Sequence, residues 1–402
     1  MTIKNNILRA LLAVFLTLAT GVSPAVLRAQ ESIPASVDNS KLKYFPPLIN
    51  QIGGSCAQAS YIGYMFTYEM NRLLDRDASE NKDNQFSYLY TWNFINGGVD
   101  EGSLGTDGLQ IAFEGGIATE ADFPSQYTSS QFKWTSGYEN YLKALHYRVK
   151  KIRTFSVLNR EGVDKVRNYL WNRGESGKSG GIVTFSSRSG SWTIDTNYSG
   201  PSETGYKALL TKLSPTGAHA MTIVGYDDLV EFEAPDGTVS KGAFIVCNTW
   251  GEHHFQHDRG RFYLPYWFWE QSDRDLSALG ADMVGTDVEY REPKVVFRVK
   301  LDYSSRDDLS FRIGVSNRAS DKLPANDFLV PIANHQGGDY PMQGNNSSSE
   351  IEFAFDFSSY VANINDSAEP KFFLTISRNR RGKVYGSGRI LEFSVYDYRE
   401  SQ

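Results

Sequence analysis

Apolar residues return every three or four positions between Ala59 and Leu73, but every two positions beyond Pro293, so one stretch must pack as helix and the other as sheet. In the first stretch Ala59, Ile62, Phe66, Met70 and Leu73 line one side of a helix that starts near Ala57 and dissolves at Asp75-Arg76-Asp77. Residues 86–95 predict a second helix, residues 97–108 a glycine-rich loop, and Leu109 to Glu114 a third helical stretch. After about residue 180 the character turns to strand: 181–186, 219–226, 243–246 and 261–264, with Pro235-Asp236-Gly237 as a hairpin turn. Beyond Pro293, Val295, Phe297, Val299 and Leu301 alternate with charged residues. The same period recurs at 311–315, 351–357 and 391–395 with no helix between, the pattern of a β-sandwich. The fold class expected is α+β followed by an all-β domain, with the linker in residues 286–293.

The N-terminal segment predicts export. Lys4 and Arg9 precede an apolar run from Leu11 to Ala19, and Leu27-Arg28-Ala29 offers a cut before Gln30, so residues 1–29 read as a signal peptide. That run is too short to span a bilayer, and no later segment is apolar for long enough to do so. The domains expected are therefore 1–29 signal peptide, 30–288 a first folded domain and 293–402 a β-sandwich, in a chain that is secreted, periplasmic or at the cell surface. Losing Lys4, Arg9 and Arg28 moves the formal net charge from −6 to −9, and a mildly acidic chain carries no basic footprint for nucleic acid.

Cys56 and Cys247 are the only cysteines. In an oxidising compartment they form either one disulfide or one reactive thiol beside one buried thiol. Their settings favour the second. Cys56 follows Gly53-Gly54-Ser55 at the first turn of the predicted helix, where unpaired backbone N–H groups favour a thiolate; Cys247 closes the apolar run Phe244-Ile245-Val246 and reads as a buried strand residue. Of six histidines, His219 opens an apolar strand after Gly217-Ala218, where a ring can project from a strand end. Taken alone a strand histidine is more often a structural residue, and Asn248 reads equally as an ordinary turn residue. His253-His254-Phe255-Gln256-His257 has histidines at metal-ligand spacing, but no regularly spaced acid or cysteine beside them, and reads as a solvated loop. No metal or cofactor is expected.

Three blocks occur in order: Gly54-Ser55-Cys56 at a helix start, Gly217-Ala218-His219-Ala220 running into Val224-Gly225-Tyr226, and Asn248-Thr249-Trp250-Gly251. Together with Gly260-Arg261-Phe262-Tyr263 they resemble the active-site blocks of the papain-like cysteine peptidases, over roughly residues 40–270. The resemblance implies a helical lobe carrying Cys56 as nucleophile and a β-barrel lobe carrying His219 as base and Asn248 as the group that orients it. It also implies that Trp250 shields the histidine–asparagine bond. An oxyanion hole would combine the Cys56 N–H with a side-chain amide upstream; the family places a glutamine six residues before the cysteine, where this chain has Asn50, with Gln51 one place later. Gln51 is the expected donor after a one-residue deletion in the loop, and Asn50 the fallback. Gly102 is a weaker candidate for holding substrate backbone. Gly53 and Ala57 replace the cysteine and tryptophan that often flank the nucleophile, and the long prosegment usual in the family is missing before Cys56. The expected function is peptide-bond hydrolysis through a thiolate–imidazolium pair, on a protein or peptide substrate. A catalytically inactive scaffold binding protein or glycan, or a cysteine amidase acting on cell-wall peptides, are the alternatives. The sandwich domain is a candidate for surface or glycan contact, although its aromatics Tyr340, Tyr396 and Tyr398 read as ordinary strand residues.

Overall fold

A computed structural model describes residues 32–335, 337–379 and 386–399; the signal-peptide reading of residues 1–29 lies outside the described residues. The described residues from Pro34 onward form one compact unit. Among the described residues no helix is long and apolar enough to cross a membrane.

Cys56–Gln58, Ala59–Phe66 and Thr67–Leu74 run on as one helix, α1, whose middle segment has the wider turns of a π-helix. All eight residues from Ala59 to Phe66 are buried, so α1 is a central strut rather than a surface helix with one apolar face. Leu73, read as part of its apolar stripe, is 47% exposed where the helix leaves the core. Around α1 lie α2 (Tyr88–Ile95), α3 (Gly105–Gly115) and α4 (Tyr138–Ala144). Ser87 caps α2 by accepting the Tyr90 N–H at 3.2 Å. Helix α3 begins inside the segment read as a glycine-rich loop.

The β-rich part is one nine-stranded sheet: β1 (Ser36–Asp38), β2 (Tyr147–Ser156), β3 (Val183–Arg188), β4 (Thr193–Asp195), β5 (Leu209–Lys212), β6 (Ala218–Glu233), β7 (Val239–Cys247), β8 (Arg261–Pro265) and β9 (Asp282–Tyr290). Its order is β2-β9-β3-β6-β7-β8-β5-β4, with β1 paired to β6. Helix α5 (Arg160–Asn172) connects β2 to β3. The segment read as a linker is corrected by β9, which pairs with β2 as far as Tyr290↔Tyr147; only residues 291–294 connect to the next strand. Alternation in Met283, Val284 and Val288 is irregular, which hid this strand from periodicity. Glu69 on α1 is fully buried between Arg72 (2.9 Å) and Arg173 (2.5 Å), and Arg173 also pairs with Asp287 on β9. A buried carboxylate without such partners would be strongly destabilising.

The C-terminal part has two three-stranded sheets: β10 (Val295–Tyr303) between β13 (Glu350–Asp356) and β15 (Gly388–Asp397), and β11 (Leu309–Ser316) between β12 (Asn326–Leu329) and β14 (Lys371–Arg378). Phe297 packs edge-on against Phe372, and Phe311 against Phe353 and Phe355, so the two sheets share an aromatic core. The class is α+β with an added β-sandwich, as the sequence leads one to expect.

The sandwich is fastened to the helical part. Arg148 on β2 and Asp356 on β13 form an ion pair that is almost wholly buried. Arg306 lies 4.4 Å from the Trp134 ring centroid and donates to Phe132 O at 3.0 Å. The loop Gly337-Gly338-Asp339-Tyr340 docks on the glycine-rich loop: Tyr340 Oη donates to Gly98 O at 2.7 Å, and a Cβ on Gly98 would lie 2.7 Å from Gly338 Cα. Tyr340 is thus an internal joint, and Tyr398 shares a 2.7 Å hydroxyl hydrogen bond with Tyr138. Phe353 touches both parts, lying 5.2 Å from Tyr141 and 5.9 Å from Phe311 between ring centroids. Phe353→Ala should cost about 3–5 kcal/mol and move one shared unfolding transition to lower urea. Unchanged stability would show that this core is not shared.

Candidate functional site

Local backbone geometry sets the approach to Cys56. Gly53 has φ +52°, and a Cβ there would fall 1.8 Å from Asp100 Oδ1; one on Gly54 would fall 2.5 Å from the Glu101 carbonyl carbon. The two glycines are therefore required by the close approach of residues 100–102. Gly54 N donates to Asp100 Oδ1 at 2.8 Å. Gln58, one turn into α1, donates to Ser103 Oγ and Leu104 O and accepts from Thr91 Oγ1, and Trp92 Nε1 donates to Glu101 O. The loop beside the sulfur is held from both ends. A side chain at Gly102 would meet no heavy atom within 4 Å, so that residue borders open space.

Helix α1 lies against the start of β6. Ser60 Oγ donates to Ala220 O at 3.0 Å and Thr222 Oγ1 donates to Ser60 O at 3.4 Å, and the Ala220 backbone amide favours the charged form of the Cys56 thiol. Strand β7 ends at Cys247 opposite Thr222, so β6 projects past it and carries His219 into the cleft. Asn248 follows β7 at once, and His219 Nε2 stands 2.7 Å from Asn248 Oδ1. The structure thus brings Cys56, the His219 strand and Asn248 to one place.

One backbone group decides the protons. Thr249 N lies 2.7 Å from the same Asn248 oxygen, and a backbone N–H can only donate. The atom it meets must be oxygen, so the His219 Nε2 that also meets it carries the hydrogen. That leaves Nδ1 of a neutral His219 with its lone pair free to accept a proton. Burial is the dominant electrostatic influence. It lowers His219 to about 4 against the opposing Asn248 hydrogen bond. It also raises the Cys56 thiol, although the backbone amides of Ala220, Ala57 and Cys56 pull the other way. The expected acidifying effect of the helix start is present but is outweighed by burial.

Gln51 lies beside the Asn248 segment. Its N donates to Thr249 O at 2.7 Å, its Oε1 accepts from Thr249 Oγ1 at 2.5 Å, and its Nε2 donates to Gly53 O at 2.8 Å, leaving one amide hydrogen. Asn50 is exposed and bridges to Trp250. Both cysteines are free; Cys247 is fully buried and its thiol is raised to about 11 by burial. Trp250 stacks on His219 with centroids 4.6 Å apart and planes 22° apart, covering the ring.

Three residues escaped the sequence reading. Tyr64 on α1 accepts from Ile49 N at 2.7 Å and donates to Asn248 O at 3.1 Å. Trp192 packs 5.5 Å from Trp250 and donates to Gln256 Oε1 at 3.0 Å. His257 is the third: residues 253–257 form a loop with His253 and Phe255 exposed, as read, but the His257 ring turns inward between Trp250 and Phe262, with Nε2 3.1 Å from Asn248 Nδ2. Its position nine residues after Asn248 was visible, but its inward direction depends on the loop's fold. Among the described residues no group of His, Cys, Asp or Glu is arranged to hold a metal.

The chain matches no family model and no curated protein. Similar solved structures include xylellain, a cysteine protease from Xylella fastidiosa, with TM-score 0.42 and 18% identity over 63% of this chain and 86% of that one. The proform of the ragweed pollen cysteine protease Amb a 11 gives 0.40 and 16%, over 64% and 66%. The cysteine protease CMS1MS2 from Carica candamarcensis gives 0.38 and 16%, over 64% and 100%. All three are cysteine proteases.

Buried neutral imidazoles make stability depend on pH. His219 titrates at about 4 and His257 at about 3 in the folded chain, against 6.5 for the free group. Below that value the unfolded chain binds protons that the folded chain refuses, so the stability present above it is lost as pH falls toward these folded values. Denaturation midpoints should fall on acidification below about pH 6.5, by about 1.4 kcal/mol per pH unit for each such ring at most. His257→Phe should flatten the slope; an identical slope in that variant would contradict it.

Proposed function

We propose that this chain is a cysteine peptidase, exported by its N-terminal segment, with Cys56 as nucleophile, His219 as base and acid, Asn248 as orienting group and Gln51 as oxyanion donor. The observation that carries this is the 2.7 Å His219–Asn248 bond on a strand whose next residue, Ala220, is held by Ser60 on the helix that Cys56 begins. The arrangement is that of an activated nucleophile whose base is itself oriented by a third group. The placement of Cys56 at the start of a buried helix, and of His219 and Asn248 on the sheet packed against it, supports the reading.

The chemistry follows from the proton positions. A carbonyl placed above Cys56 is attacked by sulfur as the thiol proton passes to His219 Nδ1. The imidazolium so formed keeps its Nε2–H on Asn248 Oδ1, where a neutral amide suffices because the thiolate balances the charge. The same proton moves to the leaving amine, which departs and leaves a thioester on Cys56. Water, deprotonated by His219, then attacks the thioester and releases the acid. The Cys56 N–H and the free Gln51 amide hydrogen are the donors for the developing oxyanion; losing the latter should cost about 3 kcal/mol in the barrier.

Three enzymes, wild type, Cys56→Ala and His219→Ala, should be tested on casein and on muropeptides, with iodoacetamide labelling followed by mass spectrometry. The expected result is casein cleavage by wild type alone and fast labelling of Cys56 that needs His219. Cleavage of muropeptides without casein would make the chain an amidase of cell-wall peptides. Slow labelling that is indifferent to His219 would make it an inactive scaffold.

A further inference from the structure

The geometry points to His257 as a positioning residue: its bare Nε2 accepts the Asn248 Nδ2 hydrogen and so completes the clamp that keeps Asn248 Oδ1 on His219. This rests on the peptidase reading above and extends it by one residue.

The Asn248 side chain is completely buried. A buried amide has an acceptor end and a donor end, and leaving either unpaired costs about 1–3 kcal/mol. The oxygen end is filled by Thr249 N–H and His219 Nε2–H, each at 2.7 Å. The nitrogen end meets His257 Nε2 at 3.1 Å. Because Nδ2 can only donate, that ring nitrogen must be unprotonated, and a neutral His257 then carries its hydrogen on Nδ1. Nδ1 is buried with no hydrogen-bond partner. The fold therefore tolerates an unpaired N–H on one side of this ring while the other side serves Asn248.

The surroundings hold the ring in that role. Its face stacks on Phe262, at 5.4 Å and 17°, and on Trp250, at 5.8 Å and 22°. The loop that carries it is pinned by His257 N donating to His254 O and by Trp192 Nε1 donating to Gln256 Oε1. Burial and the neighbouring His254 and His219 all oppose a positive charge on His257, which titrates at about 3. A protonated His257 would set N–H against N–H at the amide. The clamp would then open just where the imidazolium of His219 needs an acceptor.

The test uses the full-length protein with His257→Phe, which keeps an aromatic ring without an acceptor, and His257→Gln, whose Oε1 can stand near the position of Nε2. The expected result is a kcat about ten- to hundredfold lower in the phenylalanine variant, KM within about twofold, and recovery to within a few-fold in the glutamine variant. Melting temperatures at neutral pH separate this from loss of fold. Wild-type kcat in folded His257→Phe would overturn the inference, as would equal losses in both variants, which mark a packing role. Ring nitrogen chemical shifts, measured by NMR on histidine-labelled protein, give an answer independent of turnover: His257 should carry its proton on Nδ1 and His219 on Nε2. A proton on His257 Nε2 overturns the inference even in an active enzyme. Those shifts in an enzyme that cleaves nothing would instead condemn the peptidase reading while leaving the clamp in place.

Discussion

The hydroxyl of Tyr64 joins the parts on which everything else depends. It lies on the same buried helix as Cys56, accepts the Ile49 N–H and donates to the carbonyl of Asn248. One oxygen thus links the Cys56 helix, the extended arm before it and the segment after β7. Phe45 stacks on its ring at 5.1 Å, so the arm is packed as well as hydrogen bonded. The second tie is the arm's own pairing, with Gln51 N on Thr249 O and Gly251 N on Ile49 O. A cleft between two lobes is useful only if its walls keep register, and here the register is fixed by backbone groups on both sides.

Within that frame the proton map is a consequence of backbone geometry. Thr249 N–H identifies the oxygen of Asn248, the oxygen identifies the hydrogen on His219 Nε2, and this leaves Nδ1 as the ring nitrogen able to accept a proton. Burial opposes charge on both reacting groups: the sulfur is held above its ordinary value and the imidazole is lowered to about 4. The charged pair is thus disfavoured by burial, and under the proposed mechanism it becomes favourable to the extent that a carbonyl and its oxyanion donors lower the energy of the charge that develops. Stabilisation that acts on the developing charge, rather than on the resting enzyme, is what accelerates a reaction.

Residues whose role is set by local backbone were legible in the sequence. Cys56 is found at a helix start because Gly53-Gly54-Ser55 precedes an apolar run, and His219 and Asn248 flank strands whose apolar patterns are unbroken. What stayed hidden was set by distant contacts. The π-helical middle of α1 follows from burial on every side, which an apolar stripe does not announce. Strand β9 was read as linker because its register depends on β2, more than a hundred residues earlier. His257 looked solvated because its neighbours in sequence are polar, whereas its neighbours in space are Trp250, Phe262 and Asn248. Gly53 and Gly54 were seen, but for a different reason: the pattern suggests flexibility, and the structure shows them pressed against residues 100–102.

The same contact extends to the sandwich. Tyr340 holds Gly98 by its carbonyl, Asn96 Oδ1 holds the Gly98 N–H, and two residues further on Asp100 holds the N–H of Gly54. Gly54 is two residues from the sulfur. A short covalent and hydrogen-bonded path therefore runs from the C-terminal loop at residues 337–340 to the nucleophile's turn, and Gly98 and Gly338 meet with no room for a side chain between them. With Arg148–Asp356 buried beneath it, this joint is built as an interior contact rather than as a tether between independent parts. The glycine-rich loop is fixed on one side by α1, through Gln58, and on the other by the sandwich, through Tyr340. Its stiffness is thus a property of the whole chain, and the sandwich belongs to the framework of the cleft whatever else its surface binds.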